Sequence, residues 1–205
     1  MKPVAVSRAG VRLLLLAGSG LALAACGGSG GPGPAPLSSV PAAVTPPPPP
    51  TPPPPVNFDT AEYRRSSAAV QAGAISAWQA GATGNGVTIA FIDSGIDAAS
   101  PEFAGRIAPA SRDVSGQGRT VQDVSGHGTA VAGVAAAARN GSGSMGVAFD
   151  ATVAMFRADN GQCADGCSYT DSAIAAGLDA SVSAGARVVN ISLGGSSAGQ
   201  TLRTA

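Results

Sequence analysis

One histidine occurs in the chain, His127, held between glycines in Gly126-His127-Gly128-Thr129. An imidazole titrates near neutral pH, so it can accept a proton from a weak hydroxyl nucleophile and deliver it to a leaving amine. No other residue here can act as that base, and a metal site built on two histidines is excluded. Asp93, in Asp93-Ser94-Gly95, closes an apolar run and is the natural partner. A carboxylate accepting the other ring N–H fixes the tautomer and stabilises the imidazolium as it forms. Each residue has a plainer reading when taken alone, His127 as a hydrogen-bonded residue without a catalytic role and Asp93 as a turn former at a strand end.

These side chains need elements to hold them. The segment from Asp59 to Ala205 alternates helical and strand patterns in the manner of β-α-β units around a parallel sheet. Ala68 to Ala80 reads as a helix stopped by Gly81. Val87 to Asp93 is β-branched and apolar, too short for a helix and suited to a buried central strand. His127 to Ala138 reads as an alanine-rich helix and Ala151 to Arg157 as a second strand. Thr170 caps a helix running to about Ala184, with Asp171 in its first turn, and Arg187 to Ser192 forms a third strand. In open α/β sheets, sites gather at the carboxyl ends of strands, which is where Asp93 falls. Gly126 and Gly128 read as leaving room around the imidazole, and Gly95 as allowing a turn directly after the strand.

Taken in order, Asp93-Ser94-Gly95, then Gly126-His127-Gly128-Thr129 with Val131-Ala132-Gly133, then Gly146-Val147-Ala148 and Asn190-Ile191-Ser192-Leu193-Gly194-Gly195 resemble the subtilisin-like serine proteases, the subtilases of peptidase family S8. The likeness runs from about Ala74 to Ala205. It implies an α/β, three-layer subtilisin-like fold with a mostly parallel sheet, of which this chain supplies the N-terminal part. It also implies that Asp93 and His127 are the first two members of an Asp-His-Ser triad, an order that differs from those of chymotrypsin-like and α/β-hydrolase enzymes. Ser192, Leu193 and Gly194 would offer a backbone edge to an extended peptide substrate; the alternative is an ordinary strand-to-loop transition.

No serine in the chain fits the family's Gly-Thr-Ser-Met-Ala nucleophile motif. The nearest, Ser144 in Gly143-Ser144-Met145-Gly146, falls in a loop before Gly146-Val147-Ala148 and lacks the threonine and the following alanine. The nucleophile and the oxyanion-hole asparagine are therefore expected beyond Ala205, and the chain as written is expected to be an inactive N-terminal fragment. Ala130 stands where the family commonly has a second histidine, and Phe149 where it has proline. Cys163 and Cys167 lie in an inserted loop, where an oxidising compartment favours a disulfide; a metal site and free thiols are the alternatives, the metal site being half-supplied by two thiols alone. No cofactor is expected. The family often binds calcium, but no acidic cluster here has calcium-loop spacing.

The N-terminal third reads as targeting and tether. Lys2, Arg8 and Arg12 precede an apolar stretch from Leu13 to Ala25, shorter than the ~20 residues a membrane span needs. Residues 1–25 are read as a lipoprotein signal peptide, because Leu23-Ala24-Ala25-Cys26 resembles a bacterial lipobox in which Cys26 is acylated; a plain signal peptide is the alternative. Residues 26–58 are rich in Gly, Ser and Pro and read as a disordered linker, with prolines at 46–50 and 52–55 forming a stiff polyproline spacer. Residues 59–205 then hold the N-terminal part of the catalytic domain. Twelve basic and twelve acidic side chains cancel, which gives no reason to expect nucleic-acid binding. Gly27 in place of aspartate after Cys26 implies, by resemblance to Gram-negative lipoproteins, an outer-membrane or cell-surface location. Together these features resemble the lipoprotein autotransporter proteases, which act on protein or peptide substrates such as surface adhesins. The contrasting reading is a lipid-anchored, catalytically dead protein that keeps the fold to bind peptides or adhesins.

Overall fold

The computed structural model describes residues 55–163 and 166–194. The signal segment, Cys26 and most of the linker lie outside them. The strand assignments translate into one parallel sheet. Its strands are β1 (Thr88–Asp93), β2 (Arg112–Asp113), β3 (Thr152–Arg157) and β4 (Val188–Asn190), in the spatial order β2-β3-β1-β4. β1 is central, paired along its whole length with β3, from Thr88 opposite Thr152 to Asp93 opposite Arg157.

Alternation along these strands builds two cores. Ile89, Phe91, Val153 and Met155 point to one face and pack with Ala132 and Ala136 of helix α4 (His127–Ala136). Ala90, Ile92, Ala154 and Phe156 point to the other and pack with Ala173 and Ala180 of α5 (Asp171–Ser183). Helices on both faces of a parallel sheet make the three layers that the near-continuous apolar runs required. As expected, α5 is capped by Thr170, whose hydroxyl accepts from Ala173 N–H at 3.2 Å. Gly177 lets it lie close to Ile92, since a β-carbon there would press on that side chain at 2.9 Å.

Two local expectations change. The single helix read over 68–80 is broken into α2 (Ser67–Gln71) and α3 (Ile75–Gln79) by Gly73, whose φ of +60° belongs to a turn. A further short helix, α1 (Ala61–Arg65), precedes them, opened by the Thr60 hydroxyl accepting from Tyr63 N–H. The breaks serve packing. These turns wrap an aromatic cluster in which Trp78 meets Phe58, Tyr63 and Phe149 at ring-centroid distances of 5.2–5.6 Å. The indole N–H of Trp78 donates to the Val147 carbonyl at 2.7 Å. Phe58, at the end of the stretch read as linker, is buried in this cluster, and so is Phe149, the residue in place of proline.

Candidate active site

β1 ends on Asp93, wholly buried, and α4 begins on His127, whose side chain is half exposed. Nδ1 of His127 lies 2.7 Å from Oδ1 of Asp93. The same oxygen accepts the N–H of Ser94, also at 2.7 Å. A neutral ring donating its Nδ1–H to this carboxylate presents Nε2 outward as the basic nitrogen. A buried carboxylate locked in position behind a solvent-reaching imidazole is an arrangement for taking and returning a proton.

The start of α4 explains how the ring is held there. Its first residue follows Gly126, which has a left-handed φ of +85° and no side chain to cap the helix. The orphan N–H groups of the first turn are met from elsewhere: Gly128 N–H donates to Ser94 Oγ, and Thr129 N–H to Asp123 Oδ2, both at 2.9 Å. Asp123 also accepts from the Thr129 hydroxyl, from the N–H groups of Ser125 and Gly126, and from the Ser94 hydroxyl. Burial would raise the Asp123 carboxyl, but these bonds, those of Thr129 foremost, outweigh it and hold it below the usual carboxylate range. An anion at a helix start is further favoured by the helix dipole. One carboxylate thus ties the turn after β1 to the turn that carries His127.

Gly95 takes a φ of +121° in the turn directly after β1, as expected, but Gly128 acts differently from the expectation. A β-carbon on Gly128 would fall on the Gly95 carbonyl oxygen, and one on Gly95 would meet Val121 O at 2.5 Å. Gly128 is needed so that α4 can touch the turn after β1, not to free space around the imidazole; its β-carbon position faces backbone and Asp93 Cβ.

A cleft of about 390 Å³ opens beside the imidazole. Ser192, Leu193 and Gly194 line it, together with Ser125, Tyr169, Cys163 and Cys167. The two cysteines are joined in a disulfide. Tyr169 was not singled out by sequence. Burial, then the charges of Asp93 and Asp159, push its phenol well above the ordinary value, so it stays protonated. Ser144 stands exposed in the loop before β3, where its neighbours Gly143 and Met145 bond to Arg65 and Ser66. Asp123 and Tyr169 had only a faint signal, the Asp123-Val124-Ser125-Gly126 pattern being that of a side chain that closes its own turn.

Comparison with known proteins gives a consistent result. The profile of the Subtilase family matches residues 84–204. Thermitase of Thermoactinomyces vulgaris is 37% identical over 116 residues, covering 56% of this chain and 39% of thermitase. Subtilisin E of Bacillus subtilis is 34% identical over 124 residues, covering 60% of this chain and 31% of the subtilisin. Among solved structures, fervidolysin of Fervidobacterium pennivorans, a keratinolytic enzyme related to subtilisin, superposes with a TM-score of 0.52 at 28% identity, over 60% of this chain and 19% of that one. The chain spans roughly a third of the length of thermitase and subtilisin E.

Proposed function

The chain belongs to the subtilase family, and from that premise we propose that it supplies the first two members of the triad of a serine endopeptidase, Asp93 orienting and His127 acting as general base. The observation that carries this reading is the 2.7 Å contact between His127 Nδ1 and the buried Asp93 carboxylate. In the reaction, Nε2 takes the proton of the serine hydroxyl as its oxygen attacks the scissile carbonyl, and Nδ1–H stays on Asp93 while the imidazolium exists. The proton then passes to the departing amine. Ser192, Leu193 and Gly194 bind the peptide backbone along the cleft.

The enzyme is exported and held at the cell surface by acylation of Cys26, the tether being the proline-rich stretch. Support comes from the lipobox-like Leu23-Ala24-Ala25-Cys26 and from similarity to an extracellular serine protease of Serratia marcescens, 40% identical over 100 residues. Its substrates are proteins presented near that surface, as for an autotransporter protease.

The test is peptide hydrolysis and labelling by a serine-directed fluorophosphonate in the intact protein, with Asp93→Asn beside it. We expect turnover to fall by roughly 10⁴ in the variant while peptide binding survives. Peptide binding without hydrolysis or labelling in the unaltered protein would instead establish a dead, binding-only subtilase. Incorporation of labelled palmitate, lost in Cys26→Ala, tests the anchor.

A further inference from the structure

A second set of charges lies behind the Asp93–His127 pair. Arg157 ends β3 and stands beside Asp93 in the strand ladder. Its side chain is 5% exposed, a costly place for a guanidinium unless every donor is engaged. Nε donates to Asp159 Oδ1 at 2.7 Å and Nη2 to Oδ2 at 3.3 Å. Nη1 reaches the other way, to the carbonyls of Gln122 at 2.7 Å and Thr120 at 3.3 Å. Asp159 is fully buried and also accepts from Arg119 Nη1 at 2.9 Å and from Gly161 N–H at 2.7 Å.

The two carbonyls matter for where they sit. Residues 119–126 form no helix or strand beyond an isolated bridge between Gln122 and Ile96. Yet this segment delivers Asp123, whose carboxylate organises the backbone around His127. A fork from the rigid sheet to the carbonyls just before Asp123 is therefore a connection from β3 to the imidazole. Arg119, by contrast, belongs to the same charge cluster but makes no bond to those carbonyls, its partners being Asp159 and Ser115, with Asp113 at 3.8 Å.

We propose that Arg157 is a positioning residue for His127: clamped by Asp159, its guanidinium fixes the Thr120 and Gln122 carbonyls, and so the Asp123 carboxylate, at the height that keeps Nδ1 on Asp93. The proposal rests on the reading of Asp93 and His127 as the catalytic pair. It depends on the fork and not on charge alone. A lysine keeps the charge, but its single nitrogen cannot span Asp159 and two carbonyls at once.

A merely structural role would lower the melting temperature and leave the His127 hydrogen bond unchanged in molecules that remain folded. The measurement is the exchange with water of the His127 Nδ1 proton, observed by NMR at low field in the intact ¹⁵N-labelled protein and assigned by its loss in His127→Gln. Spectra are taken well below each variant's thermal midpoint. In Arg157→Lys we expect the proton to exchange roughly ten times faster or more, as befits two partly buried carbonyls losing their donor. Arg119→Gln, which alters the cluster's charge without touching those carbonyls, should change the rate by less than about twofold. Equal exchange in Arg157→Lys and the unaltered protein would overturn the proposal and leave the catalytic pair standing. If Arg157→Lys does not fold, Asp159→Asn, which keeps Arg157 but loosens its clamp, must show the same acceleration, and unchanged exchange there is equally fatal. Absence of a protected Nδ1 proton from the unaltered protein would sink the pair itself and this assignment with it.

Discussion

Two buried or half-buried carboxylates make the residue chemistry sensitive to acid. Burial would raise Asp159, but bonds from Arg157, Arg119 and Gly161 hold it below the usual range, and Asp123 is held down by its own donors. Both folded-state values therefore lie under the unfolded carboxylate value of about 3.9. The stability they contribute is complete above that value and is lost as pH falls through the folded ones. Asp123→Asn removes one such group, so its thermal midpoint should be lower at neutral pH and should fall less than that of the unaltered protein between about pH 5 and pH 2.5. Melting followed by circular dichroism across that range checks it; parallel acid limbs would refute the linkage. At this scale the sequence was legible where chemistry is rare. A sole histidine between glycines and an aspartate closing an apolar run announce themselves, whereas Asp123, Arg157 and Tyr169 are common residue types. Their roles rest on partners distant in sequence, such as Thr129, six positions from Asp123, Gln122, 35 from Arg157, and Asp93, whose charge acts on Tyr169.

At the scale of elements, the strands and long helices were readable because each obeys one period and ends on a recognisable residue, as β1 does on Asp93 and α5 after Thr170. The region before β1 was not, because three short helices there are shaped by the aromatic cluster and not by local preference. That cluster should matter accordingly. Trp78, 2% exposed, bonds Val147 and meets three rings, and Trp78→Ala is expected to cost about 3–5 kcal/mol in unfolding free energy, measurable by urea denaturation. The α4–β1 junction carries a different kind of prediction. Gly128→Ala would set a methyl against the Gly95 carbonyl, forcing the first turn of α4 and its imidazole outward. A displacement near 1 Å at a reacting group costs on the order of 10² in rate, so kcat should fall by about that factor, and because the clash is with backbone at a buried position the melting temperature should fall as well. A kcat within twofold of normal would show that the junction can relax.

For the molecule as a whole, one side of the described sheet is open. β4 pairs with β1, and Val188, Val189 and Ile191 are exposed. Such an apolar edge is a template for another chain. The 205-residue chain made alone should therefore self-associate, and Val189→Lys should shift it toward monomer in light scattering. Monomeric behaviour of the unaltered chain at high concentration would argue against this. Composition placed Phe58 at the end of the linker, since it is recognisable as core only once Trp78 and Phe149 are brought to it. That packing also fixes where the chain enters the domain. Phe149 precedes β3 and the cluster lies by the amino ends of the strands, while Asp93 and His127 lie at the carboxyl end of β1 and the start of α4. Six residues of strand separate the two edges, about 20 Å. A load entering at Phe58 is therefore met first by interlocked rings, a strand's length from the edge that holds the imidazole.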